Sequence, residues 1–345
     1  MGLGRRIAFR IIQAIGRSVT SFGYSICLAE LIISPAMPSA TARGGGVFYP
    51  IVQSLSSAFD SEPGPTARRI GKYLLQVGFH ADAVTCMMFL TSMAGNPLCV
   101  GLAASAVGVE LTWMQWAVAA IVPGLVCLLL VPLVLLRIAP PEIRQIPNAR
   151  QIARDELEKM GSMSRDELVL PFVFLICLVL WATGSLTGLG ATPIAMLAVS
   201  IMLIAGVLTW KDILAEKGAW DAMFWMGGLM ALATALSKSG FIKWAAAFIA
   251  DGIAGAHMGW ISSFLIISLI YIYSHYCFAS VTARISAMYA AFVAVAAACG
   301  AAPVYFGAGY VSQSEWWRNG FIVCTVNTVV WLTVGMARWK LIGLW

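Results

Sequence analysis

The chain is 345 residues long, 60% hydrophobic and only 11% charged, with 22 Lys+Arg against 16 Asp+Glu. A water-soluble fold of this length lacks the polar surface to cover so much apolar side chain. That excludes an ordinary soluble enzyme, a nucleic-acid binder and a disordered chain. It leaves an all-α polytopic membrane protein, in which a net charge of +6 reports loops on the cytoplasmic side.

In chain order, residues 1–17 place Arg5, Arg6, Arg10 and Arg17 beside Ile7, Ile11, Ile12 and Ile15. This pattern reads as a basic amphipathic helix at the membrane interface, not a secretory leader. Residues 18–59 are apolar but broken at Pro35, Pro38 and the Gly44-Gly45-Gly46 run. Basic residues flank them on both sides, so the segment begins and ends on the cytoplasmic face. It reads as a first re-entrant hairpin, whose broken backbone must be covered by protein or line a wet cavity.

Residues 60–136 hold an uncharged stretch, 83–109, interrupted at Gly95-Asn96-Pro97, and then a span over 117–136. Broken helices are preferred ion sites in secondary carriers. The long polar loop 137–167 carries Arg137, Arg144, Arg150, Arg154, Lys159 and Arg165 and belongs in the cytoplasm. Asn148 is positioned to cap a short helix, and Ser164-Arg165-Asp166-Glu167 is a capping box opening the next span.

Residues 168–239 hold scaffold spans at 169–186, 190–210 and 222–236. Residues 240–257 read as an interfacial helix and 258–299 as a second hairpin opening to the opposite side. Residues 300–345 hold a shortened broken helix and a last span at 319–337. Eight cysteines without a CxxC pair read as small buried hydrophobes. His80, His257 and His275 do not cluster, and no nucleophile–base or metal set is present, so no enzyme, cofactor or bound metal is expected.

Two five-residue strings repeat: Ser39-Ala40-Thr41-Ala42-Arg43 and Ser280-Val281-Thr282-Ala283-Arg284. Each closes the first arm of a hairpin, and the two hairpins enter from opposite sides. That arrangement is the pattern of an inverted-repeat carrier. Ser39, Thr41, Ser280 and Thr282 supply hydroxyls able to serve a carboxylate or a cation. Arg43 and Arg284 could face the two ends of a dicarboxylate. The alternative for each arginine is a pair with Glu30, Asp82 or backbone carbonyls. Ser39, Gly95, Asn96, Ser280 and Thr282 are the candidate cation-binding positions.

At Pro38-SATARGGG-Val47, Thr91-SMAGNP-Leu98, Met163-SRDE-Leu168, Ala279-SVTARISAMYAAF-Val293 and Phe306-GAGYVSQSEWW-Arg318, the chain resembles the divalent anion:Na+ symporter family. Within it, the chain is most similar to the 2-oxoglutarate/malate translocator and citrate/succinate antiporter branch. The resemblance implies an elevator-type transporter, commonly a homodimer, carrying dicarboxylate or tricarboxylate anions with Na+ as coupling ion or by exchange. It implies a bacterial inner membrane, or a plastid inner membrane for the plant branch. The family's Ser-Asn-Thr tips correspond to Ser39, Ala40 and Thr41 and to Ser280, Val281 and Thr282, with the middle Asn absent in both. A citrate or tartrate/succinate antiporter is the neighbouring reading.

Two departures stand out. The chain begins where family members are already deep in their first repeat. Only about 24 residues separate Thr282 from Phe306, so the join at Gly300-Ala301-Ala302-Pro303 reads as an internal deletion of about 25 residues, which leaves roughly 15 residues where a span needs ~20. The expectation is a truncated carrier that fails to transport, or a channel-like or non-transporting membrane protein.

Overall fold

The computed structural model describes residues 2–16, 18–107, 111–143, 149–217, 219–220 and 313–342, with isolated positions between 223 and 285, among them Ile285. The described residues form helices and no strand. Among the described residues three helices are long and apolar enough to cross a membrane: Val19–Ala36, Trp113–Ile138 and Phe321–Leu341. The expected features at Arg17, Asn148, 222–236, 240–257, 258–299 and 300–303 lie outside the described residues or are represented only by isolated positions.

Helix α1 (Leu3–Ile15) buries Ala8, Phe9 and Ile12 against the core. Helix α2 (Val19–Ile33) opens with a Ser18/Ser21 capping box. It continues as a tight turn through Ser34–Ala36 and stops where Met37 turns extended. The chain resumes at α3 (Ala40–Arg43), passes a wide turn at Gly44–Phe48 and continues as α4 (Tyr49–Ser57). The two arms therefore form a hairpin whose tip is 37–39.

Helix α5 (Gly71–Met88) follows and buries 15 of its 18 residues. It begins at Gly71, twelve residues before the expected stretch, because Lys72, Gln76, His80 and Asp82 lower its hydropathy without lowering its burial. After a break the chain continues as α6 (Gly95–Val107). Next, α7 (Trp113–Ile138) is the longest described helix, opened by a Thr112/Gln115 capping box.

Side-chain contacts fix the helix directions. Tyr73 Oη donates to Pro132 O, and Trp116 Nε1 to Met87 O, so α5 and α7 run antiparallel. A methyl added at Gly23 would meet Tyr73 Oη at 2.6 Å and Pro132 Cβ at 3.3 Å, which puts the start of α2 beside the start of α5. Glu142 N and Ile143 N donate to Arg68 O and Arg69 O. Both ends of the hairpin thus lie with the start of the 137–167 loop.

Helix α8 (Ala149–Lys159) packs on α1, and α9 (Arg165–Ala182) starts at the expected Ser164/Glu167 capping box. A one-turn helix, α10 (Gly184–Thr187), leads to α11 (Ala191–Ile204) and α12 (Trp210–Ala215). At α12 a Thr209/Asp212 box caps the helix, and hydrogen bonds from Thr209 hold the Asp212 carboxyl below its ordinary pKa. The last helix is continuous: α13 (Gln313–Val330), a wide turn at Trp331–Gly335, and α14 (Met336–Leu341). It lies antiparallel on α7, with Trp339 Nε1 donating to Ala119 O and Asn319 Nδ2 to Gln76 Oε1 on α5.

Candidate functional site

The hairpin tip and the break between α5 and α6 face each other. At the tip, Ser39 is extended (φ −126°, ψ 109°) and its Oγ accepts from Ala42 N, 3.2 Å, which caps the second arm. Ser39 and Thr41 are exposed, on a helix start where backbone N–H groups and the dipole favour negative charge.

The break occupies residues 89–94. Phe89 and Met93 are extended, with a single turn at Leu90–Ser92 between them. Carbonyls freed by a helix end must find donors when buried. Asn96 Nδ2 donates to Cys86 O (2.7 Å) and Phe89 O (2.9 Å), and Ser92 Oγ reaches the same two carbonyls at 2.7 Å. Trp116 on α7 takes Met87 O. The break is therefore sealed by protein groups.

Pro97 belongs to the Gly95-Asn96-Pro97 string expected to interrupt the helix. It sits in the first turn of α6 instead, where its missing N–H costs nothing. Asn96 is buried at 1% exposure with its amide nitrogen committed, leaving Oδ1 as its acceptor atom. Gly95 lies close to two side-chain ends. A methyl there would lie 2.7 Å from Ile285 Cδ1 and 2.9 Å from Met93 Cε. Ile285 is the residue directly after the second Ser-x-Thr-x-Arg string, and it is fully buried.

Arg43 is the strut between the two elements. Its side chain is 0% exposed. Nε donates to Glu30 Oε2 at 2.8 Å, and Nη2 pairs with Asp82 Oδ1 and contacts Cys86 Sγ at 3.0 Å. Nη1 donates to Met37 O (2.8 Å) and Ser92 O (3.1 Å). A guanidinium has five N–H donors, and five acceptors surround this one. Arg43 therefore does not face a substrate carboxylate. The alternatives Glu30, Asp82 and backbone carbonyls are all realised together, because a buried guanidinium needs every donor satisfied. One hydroxyl adds two further ties: Thr91 Oγ1 donates to Pro35 O (2.9 Å) and accepts from Trp113 Nε1 (3.1 Å).

Ser280, Thr282 and Arg284 lie outside the described residues. Sequence reasoning missed Ser92, Trp113 and Trp116. The first sits inside the Thr91-Ser92-Met93 string and was legible there. The tryptophans carry no local signal, because they act across α5 and α7. The described residues hold no group of three or more His, Cys, Asp or Glu fit for a metal ion.

A helical bundle with helices long and apolar enough to cross a membrane, a hairpin tip and a facing broken helix has the architecture of a polytopic membrane protein. The sequence matches the family described as the sodium:sulfate symporter transmembrane region over residues 1–303 and 297–345, and the chain belongs to that family. It is 43% identical over 371 aligned positions to the Bacillus subtilis (strain 168) protein YflS, named for malate transport, covering all of this chain and 77% of that one. It is 40% identical to the chloroplastic Dicarboxylate transporter 1 of Spinacia oleracea, covering all of this chain and 65% of that one. For the Arabidopsis thaliana protein of the same name the values are 39% and 67%. The chain thus spans about two thirds to three quarters of the length of these relatives.

Proposed function

We propose that this chain is built as a secondary carrier of dicarboxylates whose second half is shortened near residues 297–303. One observation carries the carrier reading: the exposed Ser39 and Thr41 at a capped helix start, held against the α5–α6 break by Arg43. The helix start suits a carboxylate, and hydroxyls suit either a carboxylate or Na+. The names of the plant relatives support a dicarboxylate.

Ser39 and Thr41 bind the substrate in this reading. Ser280 and Thr282 complete the chamber from the second hairpin, with Arg284 bracing there as Arg43 does here. The contact of Ile285 with Gly95 supports the proximity of the two tips. Na+ would be held by Ser39 Oγ, Asn96 Oδ1 and unwound carbonyls, with Gly95 giving close approach. The carrier sits in a bacterial inner membrane with its 137–167 loop on the cytoplasmic side, and it works as a homodimer.

Two features support the shortening. The two matched family segments meet at 297–303. The alignment with YflS runs over 371 positions, 26 more than the chain's 345 residues. The missing stretch falls where the second broken helix belongs, so the chain is expected to insert stably and not to transport.

Counterflow of labelled malate and 2-oxoglutarate in proteoliposomes tests this. The chain should show none, and a version with the corresponding YflS residues inserted near position 300 should exchange both. Exchange by the chain as it stands would overturn the shortening argument. Silence in the restored version would overturn the dicarboxylate reading. Competition by C4, C5 and C6 acids separates it from a citrate or tartrate/succinate antiporter.

A further inference from the structure

We propose that the cleft between α1 and α8 is a binding site for an anionic phospholipid headgroup of the cytoplasmic leaflet. The cleft is an open groove of about 450 Å³ lined by Arg6, Arg10, Gln13, Arg154, Glu158 and Gly161, with Leu157. Three arginines face one glutamate, so the lining is cationic. Its charges are not equally engaged. Arg6 is spent on Gly161 O (2.8 Å) and Glu167 Oε2 (3.1 Å), and Arg154 Nε donates to Glu158 Oε1 (3.2 Å). Arg10 is exposed, and among the described residues no carboxylate pairs with it. It therefore offers a full charge to an incoming anion.

The cleft is a built feature. Arg150 Nη2 donates to Ala14 O (2.8 Å) at one end of the α1–α8 contact, and Arg6 closes the other. The two helices cannot drift apart without breaking both ties.

Its height in the membrane selects the ligand. Arg6 binds Glu167, in the first turn of α9. One residue later begins an exposed apolar stripe at helical spacing: Leu168 (57%), Phe172 (66%), Leu175 (58%) and Val179 (61%). That stripe meets acyl chains, so the cleft lies at the level of the lipid headgroups. Basic clusters just cytoplasmic of a spanning helix attract anionic lipid, by roughly five-fold in affinity per arginine. A phosphodiester carrying a net negative charge is the anion present there. The inference rests on the cytoplasmic placement of 137–167, and not on transport.

The full chain in neutral detergent, titrated with short-chain phosphatidylglycerol, phosphatidylcholine or inorganic phosphate and read by native mass spectrometry and melting temperature, tests it. Phosphatidylglycerol should be retained and should raise the melting temperature, while phosphatidylcholine should do neither. Arg10→Gln and Arg154→Gln should each weaken phosphatidylglycerol about five-fold. Arg10→Gln should leave the lipid-free melting temperature unchanged, which separates lost binding from lost fold. Equal stabilisation by inorganic phosphate would assign the cleft to a free anion and overturn the lipid. Phosphatidylglycerol binding that both variants leave intact, or no binding, would overturn the site.

Discussion

Helices α5 and α9 have the same length, 18 residues, and opposite surroundings. The first buries 15 of its residues, including Lys72, Gln76, His80 and Asp82. The second buries four and turns Leu168, Phe172, Leu175 and Val179 outward. In a bilayer protein, hydropathy marks the helices that touch lipid, not those at the centre. The central helix is the polar one, because its side chains are satisfied by other side chains. The break at 89–94 follows directly from α5.

The largest test of this contrast is Arg43→Ala. It leaves Glu30 and Asp82 buried without their shared cation, a loss of roughly 3–5 kcal/mol for a broken buried pair. The purified variant should lose most of its melting temperature or fail to be recovered. A variant melting with the parent would mean that the strut is dispensable and α5 is held by packing alone.

On the other side of the contrast, Leu175→Lys places a charge at the middle of the outward stripe. It should cost about 2.5–3.5 kcal/mol of insertion, seen as reduced recovery from membranes. On a water-facing surface the same change would be within about 0.5 kcal/mol, so a silent result would remove α9 from the lipid boundary. A smaller effect is expected at the start of α9. Ser164→Ala deletes the cap on Glu167 N and should cost about 1 kcal/mol. Amide exchange confined to 165–168 should rise without disturbing α5.

The parts that depended on local chemistry were legible from the chain alone. The Ser164/Glu167 box, the 117–136 span and the interruption of the first hairpin around Pro35 and Pro38 all follow from neighbouring residues. The start of α5 was not, since Lys72 and Gln76 lower the hydropathy there, and only the fold brings Asn319 to Gln76 and Gly23 to Tyr73. The sequence places the break at Gly95-Asn96-Pro97 because glycine and proline are the visible breakers. The actual interruption at 89–94 is stabilised by Trp116 from another helix, and no local pattern announces such a partner. At Arg43 the sequence offered three partner types as alternatives. Only the folded tip reveals that one side chain uses them all.

That arrangement constrains how the tip can move. Arg43 holds the first arm through Glu30, the loop through Met37, and the neighbouring helix through Asp82 and Ser92. A hairpin swinging open on its own would strand the Asp82 carboxylate and the Ser92 carbonyl without their donor. In the proposed carrier, hairpin and broken helix would therefore travel together, and a gate would lie where this pair meets the helices around it.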